Sequence, residues 1–319
     1  MAQRKALTSD EWAARLADGE RVALARAITA VENDRSDAKA VLGAVYGRAG
    51  RAQVIGITGA PGVGKSTLLN ALIASYRAAG LKVGVVAVDP SSPISGGAIL
   101  GDRIRMSEHG GDVGVFVRSL AARGHLGGLS RAAARVVDVM DAAGFDIVIV
   151  ETVGTGQSEV EIMDIAQTVL VVSAPGLGDD IQAVKAGILE IADILVVNKA
   201  DMPLADRTEA QLRDALALGQ RGDWEVPVMK TASTTGEGIP ELVAAIARHH
   251  DQLDIRDREE AGRTRMRKLI ASTAADLLRD RMAVSEDGRI DALCDAVSRG
   301  EIDFEEAADR AAKLIAERL

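Results

Sequence analysis

The stretch Gly59–Thr67 reads GAPGVGKST, after an apolar run at Val54–Ile57 and ahead of a segment with helical spacing that runs to Ile73. Such a stretch fits G-x-x-x-x-G-K-[ST], a phosphate-binding loop between a strand and a helix. Gly59, Gly62 and Gly64 let the backbone curl until several N–H groups face one concavity. The helix that follows adds partial positive charge at its start. The candidate phosphate contacts are therefore Gly59, Pro61, Gly62, Val63, Gly64, Lys65, Ser66 and Thr67. Lys65 is expected to reach the β- and γ-phosphates, and the Ser66 hydroxyl to bind Mg²⁺. Residues ~51 to ~250 alternate strands and helices, the pattern of an α/β fold with a mostly parallel sheet and helices on both faces, and such sheets bind ligands at the carboxyl ends of their strands.

Magnesium prefers oxygen ligands, so carboxylates at strand ends are the next candidates. Asp146–Val150 reads as a second buried strand and delivers Glu151 at its end, within Glu151-Thr152-Val153-Gly154. Asp89 ends another apolar strand, Val83–Val88, and Asp102 lies in the loop beyond it. For both aspartates the alternative is a turn or cap residue. Lys65, Glu151 and Asp102 are the candidate catalytic residues; Ser66, Asp89, Asp102 and Glu151 are the candidate metal ligands.

The base is specified further along. Ile194–Val197 is a buried strand that leads into Asn198-Lys199-Ala200-Asp201, the guanine-reading tetrapeptide of GTPases. An aspartate there accepts hydrogen bonds from guanine N1–H and the 2-amino group, a pair adenine cannot offer. The Lys199 stem can lie over the base, while Asn198 is expected to tie loops together. A further base-contacting loop, Thr231-Ala232-Ser233, follows a strand expected at Val226–Met229.

Composition bounds the rest. With 319 residues, 47% of them hydrophobic, the chain suits one α/β domain plus appendages, but only 2% are aromatic, so small aliphatic residues must build the core. No apolar run approaches the ~20 residues of a membrane span, and the first residues lack a signal or transit pattern. A net charge of −9 argues against a general nucleic-acid binder. The single Cys294 excludes an internal disulfide, suits a cytoplasmic protein, and is expected to be a small buried hydrophobe. His249-His250 is expected to be a polar helix end.

Three parts are expected: a helical extension at 1–50, a P-loop GTPase domain at 51–252, and a helical arm at 253–319. In the first, Thr8-x-x-Glu11 is a candidate capping box, Gly19 separates two helices, and Leu24, Ile28 and Val31 share a face. In the last, Met266, Leu269, Ile270, Thr273 and Leu277 form one stripe, and Phe304, Ala308, Ala311 and Ile315 another. The segments Asp89–Asp102 and Glu151–Glu161 have the composition of nucleotide-ordered switches. Asp179, Gln182 and Lys185 are spaced to share a helix face, which composition alone would assign to solvent.

The segments DPSSPISGGAILGDRIRM, RGHLGG, AGFDIVIVETVGTGQSE, GDDIQAVKAGILEIAD and VVNKAD resemble the MeaB/ArgK family of GTPases, from about Gly19 through about Leu242. The resemblance implies a parallel sheet with helical extensions that form homodimers. It implies GTP/GDP and Mg²⁺ as ligands, and an adenosylcobalamin-dependent acyl-CoA mutase, chiefly methylmalonyl-CoA mutase, as partner. It places Asp179, Gln182 and Lys185 in a further switch that relays the mutase's presence to the nucleotide. Older descriptions call such chains arginine/ornithine transport ATPases; the NKAD tetrapeptide and the lack of a membrane span argue against that here. Departures are Ala232-Ser233 in the last base loop, where backbone contacts are expected, Pro93–Gly97 in the first switch, and a segment Arg263–Ile270 without tryptophan. The implied function is a GTP-hydrolysing chaperone that gates cofactor loading at the mutase. The alternative is a metallochaperone-type GTPase, which would call for a Cys/His cluster.

Overall fold

The computed structural model describes residues 7–90, 111–122, 128–152, 162–176, 189–217, 224–253 and parts of 263–316, continuously from 287. The chain divides into two compact units, Met1–Gly262 and Arg263–Leu319.

The first unit is built on seven strands: β1 (Gln53–Thr58), β2 (Val83–Pro90), β3 (Val115–Ala122), β4 (Ile147–Thr152), β5 (Thr168–Ser173), β6 (Ile194–Val197) and β7 (Val228–Lys230). All pairings are parallel, in the order β3-β2-β4-β1-β5-β6-β7. The central strands are buried on both faces, as their near-continuous Val/Ile/Leu content requires. β7 begins two residues later than the sequence suggested; Pro227, just before it, has no N–H to donate to a ladder. β3 was not anticipated.

Helices cover both faces. On one, α4 (Lys65–Ala78) and a helix over Ile239–Gln252 pack Leu68, Leu72, Leu242 and Ile246 against Ile55, Ile57, Val85 and Ile149. On the other lies α5 (Gly128–Ala142), whose Met140 sulfur would meet a Cβ at Gly84 at 2.8 Å. The amino-terminal helices α1 (Ser9–Ala17), α2 (Arg21–Glu32) and α3 (Ala38–Val45) pack on this side, α2 mainly against α5. The Thr8/Glu11 capping box starts α1, and Leu24, Ile28 and Val31 are buried. The Asp141 carboxylate accepts from the backbone N–H groups of Gly50, Arg51 and Ala52, which pins the entry into β1. Asp34 pairs with Arg131 at 3.3 Å and Arg135 at 2.5 Å, and Glu32 with Arg118.

Further helices are α6 (Ala205–Ala217), the Ile239–Gln252 helix, here α7, and in the second unit α8 (Gly288–Ser298) and α9 (Phe304–Ala316), beside helical residues described between 263 and 282. His249 is not a solvated helix end. It shares the buried face of α7, with Nδ1 2.9 Å from Thr168 Oγ1, Nε2 3.4 Å from Asp193, and the Trp224 ring edge-on at 4.8 Å. In the second unit the buried stripe of α9 is Ala307, Ala311 and Ile315; Phe304 and Ala308 are exposed, because the helix is rotated from the expected phase. Cys294 is exposed rather than buried. Met266, Ile270 and Leu277 are also exposed, whereas Leu269 lies outside the described residues. Among the described residues no helix is long and apolar enough to cross a membrane.

Candidate nucleotide site

β1 ends at Thr58 and the glycine loop turns back into α4. At Gly59, φ is +139° and a Cβ would sit 2.2 Å from the Val172 carbonyl oxygen of β5, so only glycine fits so close to another strand. Gly64 caps α4 at φ +94°, where a Cβ would lie 2.5 Å from Asn198 Nδ2. α4 has no side-chain cap and no acidic residue in its first turn. Its positive end and its N–H groups are therefore left to the loop's concavity. Lys65 is buried, and its ammonium donates to the carbonyl oxygens of Gly59 at 2.6 Å and Ala60 at 3.0 Å. Pro61, Gly62 and Thr67 are exposed around it, and Val63 is buried beneath.

Strand register brings the first carboxylate in. Ile57 pairs with Glu151, so Glu151 stands one residue short of the end of β1. Ser66 Oγ donates to Glu151 Oε1 at 2.9 Å, and Glu151 is 3% exposed. A hydroxyl and a carboxylate at that spacing have the hard-oxygen chemistry that Mg²⁺ requires. Sequence reasoning missed the next residue: Thr152 Oγ1 donates to Thr58 Oγ1 at 3.1 Å, both wholly buried. The available signal was a threonine ending each of two otherwise apolar strands. The backbone of Asp89 pairs with Ala121 near the end of β2; its side chain, and Asp102, Asp179, Gln182 and Lys185, lie outside the described residues.

The base end is joined to the phosphate end by two side chains, Asn198 and Lys199. Asn198 Nδ2 donates to the carbonyl oxygens of Val63 at 3.0 Å and Gly64 at 3.3 Å. Its Oδ1 accepts from Thr231 Oγ1 at 3.2 Å and Ser233 Oγ at 2.6 Å. Thus the Thr231 and Ser233 hydroxyls, with the Ser233 N–H at 3.4 Å, hold Asn198 in place. Lys199 has φ +56° and donates from Nζ to the Gly62 carbonyl at 2.8 Å, bringing its stem across the mouth of the loop. Ala200 N–H donates to the Thr231 carbonyl at 3.0 Å, and Ala232 pairs with Glu237 in an isolated bridge. The Asp201 carboxylate is exposed beside these loops.

Beyond Thr231 the edge is held by charge. Lys230 Nζ lies 2.7 Å from Asp206 and 3.2 Å from Glu209. The hydrogen bond from Lys230 holds Asp206 below the usual carboxylate range. Glu209 is lowered mainly by its hydrogen bond from Arg213, with Lys230 adding to it against partial burial.

The family model described as methylmalonyl Co-A mutase-associated GTPase MeaB matches residues 24–287. The chain belongs to the MeaB family. A relative from Pyrococcus abyssi is 46% identical over 314 residues, 96% of each chain. The GTPase ArgK of Escherichia coli is 40% identical over 243 residues, 73% of each chain. The crystal structure of an LAO/AO transport system kinase shares the fold with a TM-score of 0.71 at 28% identity, covering 99% of this chain and 100% of that one. This MeaB-family chain is accordingly a P-loop GTPase, which hydrolyses GTP to GDP and phosphate.

Proposed function

We propose that this MeaB-family GTPase is the chaperone of an adenosylcobalamin-dependent acyl-CoA mutase, methylmalonyl-CoA mutase or a relative, and that its nucleotide state gates cofactor loading there. The supporting observation is the coupling of both ends of the nucleotide site through Asn198. A change at the phosphates is thereby transmitted to the base loop without a hinge between them. The family description supplies the partner class.

In this proposal Lys65 exchanges its loop carbonyls for β- and γ-phosphate oxygens. The N–H groups of residues 59–67 cradle the same phosphates. Asp201 accepts the two guanine donors, Lys199 covers the base, and Thr231, Ala232 and Ser233 close the base loop. Ser66 and Glu151, with Asp89 and Asp102, would hold Mg²⁺, which neutralises phosphate charge when bound. Thr155 follows Gly154 where Ras-like GTPases carry a water-orienting glutamine, so unassisted hydrolysis is expected to be slow. Asp179, Gln182 and Lys185 form the relay through which the mutase orders the site. The working form is a homodimer in the cytoplasm.

The test measures GTP and ATP hydrolysis with and without the acyl-CoA mutase encoded nearest to this gene. GTP-selective turnover that rises severalfold with the mutase supports the proposal. GTP-selective turnover indifferent to every acyl-CoA mutase tried refutes the chaperone role and leaves the GTPase.

A further inference from the structure

A second positively charged surface lies at the opposite pole from the glycine loop. Val115 opens β3 and pairs with Val83, the first residue of β2, so this end of the sheet is its amino end. There α2 runs along a groove of about 570 Å³ floored in part by Phe116. Three arginines line it: Arg21, Arg26 and Arg35. Arg21 is held in place, donating from Nη1 to the carbonyl oxygens of Val115 at 3.0 Å and Val113 at 3.2 Å, with its guanidinium 5.5 Å from the Phe116 ring centroid. Arg26 lies 5.6 Å from the centroid of Trp12.

Among the described residues none of the three is in an ion pair with a carboxylate. The neighbouring acids are engaged elsewhere: Glu32 by Arg118, and Asp34 by Arg131 and Arg135. Asp37 is the one carboxylate in the described lining. α2 adds to the imbalance, for it has no side-chain cap and no acidic residue in its first turn, and Arg21 sits at its positive end. In a chain of net charge −9, three guanidiniums, two of them held by their contacts, against the single Asp37 carboxylate of the described lining form a localised positive field.

We infer that this groove docks an acidic peptide segment of a protein partner. Guanidiniums pair with carboxylates through two parallel hydrogen bonds, and Arg21 and Arg26 are already positioned by their contacts. The shape selects a chain over a small molecule. The groove follows a helix of 12 residues, roughly 18 Å long, and all three arginines are exposed. A small-molecule pocket encloses about 70–90% of its ligand, which this open surface does not do. Val22, in the same lining, is 74% exposed and offers an apolar contact amid the charges. Because the glycine loop is at the carboxyl ends of the strands, segment and nucleotide can be bound together. The inference stands whether or not the partner is a mutase.

The experiment is fluorescence anisotropy of a fluorescein-labelled, glutamate-rich peptide with a central leucine, titrated with the GDP-loaded full chain. Wild type is expected to bind saturably, and more weakly as salt rises. The Arg26→Glu/Arg35→Glu chain should bind at least about tenfold more weakly, and Arg26→Lys/Arg35→Lys between that and wild type, since lysine keeps the charge and loses the paired hydrogen bonds. GDP affinity should be the same in all three, which shows that the exposed substitutions leave the fold intact. Failure of wild type to bind the peptide, or equal binding by the charge-reversed chain, overturns the inference. So does binding of inorganic pyrophosphate to the GDP-saturated chain that is lost on charge reversal while the peptide does not bind, since that would make the groove a small-anion site.

Discussion

Helices α4 and α2 begin alike and do different things. Neither has a side-chain cap nor an acidic residue in its first turn, and each opens on a basic residue, Lys65 or Arg21. At α4 the cation is buried, bonded to its own loop, and surrounded by main chain that only glycine can supply. At α2 the cation is exposed and steadied by strand carbonyls and a ring distant in sequence. The first arrangement sets the cation among buried main chain, where a charged contact is stronger than in water. The second is open and salt-screened, and suits attraction and orientation of a charged partner. A positive helix start is therefore not a function; the burial around it decides what it can hold.

The largest way to break the comparison is at Lys65. Lys65→Ala should weaken GTP binding at least about 100-fold, since two charge-assisted contacts at about 1.5–3 kcal/mol each are lost. Fluorescence titration with a labelled GTP analogue measures it, and wild-type affinity would defeat the assignment. Asp201→Asn should next reduce GTP affinity by about 100-fold and raise that for xanthosine triphosphate, whose base presents the complementary pattern. Competition between the two nucleotides reads this out.

Asn198→Ala sharpens the same contrast from the side of stability. It leaves the Val63 and Gly64 carbonyls and the Thr231 hydroxyl short of a partner. The expected cost is about 2–4 kcal/mol, a fall in melting temperature of roughly 4–8 °C by calorimetry. The Arg26 and Arg35 substitutions should leave the melting temperature almost unchanged, because surface charges contribute little.

The smallest effect is at Lys230. Asp206 and Glu209 have folded-state pKa values below their ordinary ones. Their contribution is therefore present above the ordinary carboxylate range and is lost as pH falls through the lowered values. Lys230→Met should lower the melting temperature slightly at pH 7 and by less at pH 3, as the pH falls toward the lowered values of the two carboxyls and their ion pairs begin to be lost. An unchanged difference between the two pH values would show that the ion pairs do not carry it.

Much of the nucleotide site was legible because its parts are contiguous. The glycine loop lies between a strand and a helix that the apolar pattern marks, and Asn198–Asp201 follows a strand bounded correctly at Ile194–Val197. The family resemblance was legible in the same way, in long unbroken segments. What escaped was contact across the sheet. The Thr58–Thr152 hydrogen bond depends on β4 lying beside β1, an order in which sequence neighbours are not spatial neighbours. His249 was misjudged from its neighbour His250, although Leu242, Ala245 and Ile246 place it on the buried face.

The sequence by itself determined that a glycine loop between strand and helix, the Asn198–Asp201 turn after a buried strand and a strand-end glutamate exist, because each rests on spacing along one strand and its turn. The sequence also marked Asn198 as the tie between loops, but only the tertiary structure decided which groups it bonds, that Ser66 meets Glu151, and that three arginines share a groove with Phe116. Those facts depend on strand order and helix packing, which bring together residues about 80 to 140 positions apart through burial of apolar faces that many sequences would satisfy equally.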